Sequence, residues 1–135
     1  MILYQDSLLE LDYDLSTDVL YVKWPSLSEA NVSYLNISIN ELLNAIKHYD
    51  IKKLLIDSSN SRVEISDEVY QPLIFSFINR LKDTRLYRMA RVIPENTSRQ
   101  ARLQGYTRQM RAENMFSYET GEFISKDQAL TWLKV

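Results

Sequence analysis

In "LLELDYD" (8–14), Leu9, Leu11 and Tyr13 fall on one side while Glu10, Asp12 and Asp14 fall on the other. Such period-two alternation predicts a strand with one face buried and one in water. "VLYVKWP" (19–25) is β-branched and aromatic and stops at Pro25. Leu15-Ser-Thr-Asp18 between the two runs has turn chemistry, so the pair predicts an antiparallel hairpin. Behind Ser28 as a cap, Val32, Leu35, Ile39, Leu42, Leu43 and Ile46 recur at helical spacing, and the stripe ends near His48–Asp50. "KKLLID" (52–57) does not alternate, which is the pattern of a short strand covered on both faces.

After a polar loop (58–66), Asp67 or Gln71 opens the helix "EVYQPLIFSFINRL", with Pro72 in its first turn or at a kink. "MARVIP" (89–94) predicts a strand, "NTSRQARLQGYTRQMRAEN" (96–114) a helix, and "MFSY" (115–118) a fifth strand. Ser125 caps "KDQALTWLK", with Gln128 three residues on as a capping-box partner. Strands alternating with helices predict one α/β domain spanning residues 1–135. Its mixed sheet has about five strands, an N-terminal antiparallel hairpin followed by parallel strands, with about four helices.

Composition changes this picture little. At 135 residues with 45% hydrophobic and 25% charged residues, the chain has an ordinary globular make-up and no low-complexity tract. The absence of Cys excludes disulfides, a thiol nucleophile and cysteine-rich zinc sites. The N-terminus lacks the basic and apolar regions of a secretory signal, and no apolar stretch approaches the ~20 residues of a membrane span. A cytoplasmic protein with no membrane span is the expectation.

Charge is unevenly placed. From Arg80 to Arg111 the chain carries nine basic and two acidic residues, which leaves −9 for the remainder of a chain whose net charge is −2. On a helical wheel at ~100° per residue with Leu103 at zero, Arg99 and Arg102 fall near 320° and 260°, Arg111 and Arg108 near 80° and 140°. They flank the apolar face instead of forming one stripe, so a phosphate-tracking nucleic-acid surface is not expected. A solvated rim is the plainer reading, with an anionic ligand or acidic partner surface second.

The candidate chemistry is concentrated at strand ends. In open α/β sheets ligands lie beyond the carboxyl ends of the strands, which selects Asp57, Ser58, Ser59 and Asn60, with Asn96 at the corresponding exit of the next strand. The competing explanation is local: Asp, Ser and Asn satisfy loose backbone N–H groups in exit loops, and Asn96 or Thr97 caps a helix. His48 is the only histidine, at a helix end, and neither a metal set nor a nucleophile-elbow serine accompanies it. Glu10, Asp12 and Asp14 suit a solvated edge, not a desolvated acid–base pair. No catalytic residue, metal ligand or cofactor is therefore expected.

Helix 68–81 carries more apolar residues than one packing face requires: Val69, Tyr70, Leu73, Ile74, Phe75, Phe77, Ile78 and Leu81. A second buried face is expected, against another helix, a second subunit or an apolar ligand. Val69, Phe75 and Ile78, with Tyr34 and Ile37 on the outer face of the first long helix, are the interface candidates, and a homodimer is the first choice.

The succession of hairpin, long helix, "KKLLID-S-S-N", amphipathic helix, "RVIPEN", Arg/Gln-rich helix and terminal "DQALTWLK" resembles the SpoIIAA-like branch of the STAS domains (sulfate transporter and anti-sigma factor antagonist), a fold shared with the lipid-binding lobe of CRAL-TRIO proteins. The resemblance covers nearly the whole chain in order and spacing. It implies a mixed sheet, helices mainly on one side, and a non-catalytic role in binding or regulation. In anti-sigma antagonists an Asp-Ser-Ser-Gly turn carries a phosphorylated serine. Here Asp57-Ser58-Ser59 matches, Asn60 replaces the glycine, and "SRVEIS" intervenes before the helix.

The leading expectation is thus a regulatory or ligand-binding module acting through protein contact. The alternative is a carrier of a small apolar or anionic molecule, and an enzyme is the least favoured class.

Overall fold

In the computed structural model, which describes residues 1–95 and 97–134, one six-stranded sheet carries its strands in chain order. They are β1 (Ile2–Gln5), β2 (Glu10–Asp14), β3 (Val19–Lys23), β4 (Lys53–Asp57), β5 (Arg88–Val92) and β6 (Glu119–Phe123). The pairs β1/β2 and β2/β3 are antiparallel, whereas β3/β4, β4/β5 and β5/β6 are parallel. The crossovers are α1 (Val32–His48), α2 (Asp67–Arg80, continued by a 3-10 turn, Leu81–Asp83) and α3 (Thr97–Ala112), and α4 (Lys126–Leu133) closes the chain.

Residue parity along the strands assigns two cores. Leu11, Leu20, Val22, Leu54, Ile56 and Met89 point to the face covered by α1, α2 and part of α3. Val19, Leu55, Ala90 and Val92 point to the other face, where Ala129 and Leu133 of α4 cover them. The uninterrupted run Leu54-Leu55-Ile56 is therefore explained: β4 is central and buried on both sides. The α4 cover is tight because Ala90 and Gly121 are small. A methyl group on Gly121 would sit 2.9 Å from the Phe123 ring and 3.5 Å from that of Trp132. The second core does not include β2, so Glu10, Asp12 and Asp14 remain in water while Leu11 and Tyr13 are buried.

Three local details differ from the sequence reading. An additional strand, β1, precedes the hairpin. It is ordered by the Met1 ammonium on Asp12 (3.2 Å) and by Asp6, which accepts from Leu8 and Leu9 N–H, Tyr4 Oη and Ser38 Oγ at 2.6–2.8 Å. The fifth strand expected at 115–118 lies instead at Glu119–Phe123. Phe116 and Tyr118 are apolar because they pack edge to face on each other, with Tyr118 donating to the Ile78 carbonyl. Finally, Ser28 organises the turn before α1 but does not cap it; Asn31 is the capping residue, and Ser28 accepts the Val32 N–H through its carbonyl at 3.0 Å. The expected cap at α4 is present, Ser125 Oγ accepting from Gln128 N–H at 3.2 Å.

No helix among the described residues is long and apolar enough to cross a membrane.

Candidate functional site

The parallel strands leave the sheet along one rim, stitched by bonds from each exit to its neighbour. Trp24 N–H donates to Asp57 O, Ser58 N–H to Val92 O and Ile93 N–H to Phe123 O, each at 2.8 Å. Residue parity then divides the predicted cluster. Asp57 shares the α4 face with Leu55, where its carboxylate accepts from Tyr21 Oη (2.6 Å), Ser59 N–H (3.0 Å) and Ser59 Oγ (2.6 Å). Lys126 lies 3.8 Å above the Tyr21 ring beside it. Burial would raise the Asp57 pKa, but the bonds from Ser59 and Tyr21 outweigh it and hold the carboxyl below its usual range. Asp57 is a structural clamp on the back of the sheet. Ser58 is buried on the opposite face, and Asn60 is exposed. Asn96 lies outside the described residues.

The loop after β4 is held by α3. Arg99 donates through Nη2 to the carbonyls of Ser59 and Ser61. One turn on, Arg102 donates to the carbonyls of Val63 (2.9 Å) and Ile65 (2.8 Å) and to Asp67 Oδ1 (3.0 Å). Two of the arginines in the basic segment therefore grip the carbonyls of every second loop residue, which is why no continuous basic stripe is needed. The other edge of the loop pairs with Leu27, whose N–H donates to Arg62 O and whose carbonyl accepts from Glu64 N–H. Replacing Arg102 by Leu leaves two loop carbonyls without a charged donor. Amide exchange in 59–65 and α3 is expected to quicken by roughly tenfold or more, with β4 and β5 unchanged. Native-state hydrogen exchange checks this.

Between loop, α2, α3 and rim lie two adjoining chambers, of about 40 and 30 Å³, that share Trp24, Ser58, Tyr70 and Leu103 as walls. The outer one opens past Val63, Pro94, Arg99 and Arg102; the inner one reaches Ile74, Phe77, Met89 and Arg91. Trp24 stacks on Phe77 at 5.7 Å and donates Nε1–H to Tyr70 Oη at 2.8 Å. Burial pushes the Tyr70 hydroxyl well above its ordinary pKa, so it keeps its proton. Arg91, 9% exposed, donates to the Thr107 hydroxyl and lies 3.9 Å from Glu122 Oε2. A larger hollow of about 470 Å³ at the opposite end of the sheet is open to solvent among Lys47, Asp50 and Arg85.

The interface candidates are separated. Tyr34 and Ile37 are exposed one turn apart on α1, and Val69 is exposed on α2. Phe75 is half-covered, edge-on to Tyr106 at 6.0 Å, and Ile78 is in the core at 2% exposure. Part of the second face of α2, at Tyr70 and Phe75, is thus met by Tyr106 of α3 in the same chain. Sequence reasoning missed Trp24, Tyr70 and Arg91; a charged residue inside the apolar run "MARVIP" was the available signal for the last.

Among the described residues no group of three or more His, Asp or Glu side chains could hold a metal ion. No protein-family model, curated protein or solved structure matches this chain.

Proposed function

We propose that the chain is a non-catalytic ligand-binding module whose ligand occupies the cleft at the exits of β3, β4 and β5. The carrying observation is Ser58. The residue is buried at the strand-exit position where α/β sheets meet their ligands, it lines an aromatic-walled cleft, and its hydroxyl has no hydrogen-bond partner among the described residues. An acid–base mechanism is not supported. Asp57 is the carboxylate nearest in sequence, and it points to the other face, committed to three hydrogen bonds.

A phosphoserine switch is less favoured by the same geometry. Ser58 is buried, and Ser59 Oγ sits 2.6 Å from the Asp57 carboxylate, where a phosphate would meet like charge. A regulatory role remains natural for a binding module of this shape, because a bound ligand touches α3 and the loop that α3 holds.

The test uses a plug. Leu103, half-buried on α3, lines both chambers, and Leu103→Trp is expected to fill them. Against a panel of short carboxylic acids, their amides and short alcohols, at least one compound should raise the wild-type melting temperature by about 2 °C or more and leave Leu103→Trp unmoved. A folded Leu103→Trp that responds as the wild type does would refute the location.

A further inference from the structure

We infer that the cleft is built for a small monocarboxylate, its carboxylate held by the Arg91 guanidinium with the Tyr70 and Ser58 hydroxyls as further donors, and its short apolar remainder against Trp24 and Leu103. This inference rests on the reading of the cleft as the binding site and specifies its occupant.

The first argument is a surplus of donors. Among the described residues Arg91 has the Thr107 hydroxyl as its one hydrogen-bond acceptor. Tyr70 Oη accepts from Trp24 while its own proton has no acceptor there, and Ser58 Oγ has no partner. All three groups line the inner chamber, whose remaining walls are apolar or aromatic. Donors that face a cleft without a protein acceptor are otherwise met by water, so an occupant that brings acceptor oxygens replaces those waters and gains charge-assisted bonds. A carboxylate offers two such oxygens and matches the planar guanidinium.

Charge and size narrow the class. Glu122 Oε2 lies 3.9 Å from Arg91 Nη2, too far for a hydrogen bond, and has no hydrogen-bond partner among the described residues. It tempers the positive charge while the other guanidinium N–H groups have no acceptor among the described residues, which suits a single negative charge better than the two of a phosphate. Arg99 and Arg102 stand at the mouth, where their charge draws an anion inward. With ~10–15 Å³ per water-sized position on this measure, the chambers of about 40 and 30 Å³ hold a handful of such positions, about five to seven at most. That is the scale of a molecule as small as propionate.

The experiment is an NMR titration of the ¹⁵N-labelled full chain with propionate and, separately, with uncharged propionamide. Propionate is expected to shift the Ser58 amide and the Arg91 Nε–H saturably, and propionamide to bind at least tenfold more weakly. Glu122→Gln should tighten propionate severalfold by removing the competing carboxylate charge. Arg91→Gln should weaken it at least tenfold, and should that variant fail to fold, the amide comparison and Glu122→Gln decide the matter. Equal binding of acid and amide, or no gain in Glu122→Gln, overturns the carboxylate assignment while leaving the cleft a binding site. Shifts confined to exposed cationic residues mean an adventitious ion only and overturn it too. Neither probe perturbing the cleft, with the wider panel also silent, removes both the assignment and the binding site.

Discussion

Trp24→Ala is expected to cost about 3–5 kcal/mol of folding stability, the range for truncating a buried aromatic residue. Three losses coincide at this position. The indole is 7% exposed and stacked on Phe77 at 5.7 Å and 26°. Its N–H is the donor to a buried Tyr70 hydroxyl, which the truncation leaves bare. It also walls both chambers, so its removal enlarges an existing void that the fixed strands cannot close. Trp24→Phe isolates the second loss, because a ring remains to stack while the hydrogen bond goes; about 1 kcal/mol is expected. Urea unfolding curves with equal slopes measure both, and a Trp24→Ala cost near that of Trp24→Phe would mean that the indole packs less closely than described.

The second large effect is a matched pair. Leu54 and Leu55 are adjacent on β4, both 0% exposed, and face opposite sides of the sheet. Leu54→Ala and Leu55→Ala are each expected to lose about 2–5 kcal/mol, because each leaves a cavity in a separate packed layer. The pair is diagnostic. A sheet covered on one face alone would make one of them costly and the other nearly silent. A Leu55→Ala variant that unfolds within about 1 kcal/mol of wild type would show that α4 does not seal the back of the sheet. Chemical denaturation of the two variants side by side gives the answer.

Both predictions rest on features that differ in how openly the chain displays them. The alternation of 8–14 announces β2 and its wet face, and the unbroken "LLI" announces a strand buried on both sides, because burial acts directly on each side chain. The α1 stripe and the Ser125 cap are equally direct. β1 escapes detection because its ordering groups are the terminal ammonium and the Asp6 turn, and neither imposes a period. β6 is misplaced because "MFSY" earns its apolar character from loop packing, whereas "ETGEF" is held mainly by pairing to β5.

The same distinction governs the site. The rim itself is legible, since parallel strands must exit on one side, and Ser58 lies there. That Asp57 and Ser58 face opposite ways also follows from period two. What the residues could not disclose is the loop clamp, because the acceptors for Arg99 and Arg102 are backbone carbonyls that every residue possesses. Arg91 was visible as a charge in an apolar strand, but its neighbours Thr107 and Glu122 come from α3 and β6, brought near by topology alone.

The most direct test of the cleft is an isotope-filtered NOE experiment between unlabelled propionate and the ¹³C-labelled chain. Contacts from the propionate methyl and methylene protons to the rings of Trp24 and Tyr70 and the methyls of Leu103 are the predicted result. Contacts instead to Tyr34, Ile37 or the open hollow near Ile46, with none at Trp24, would contradict it.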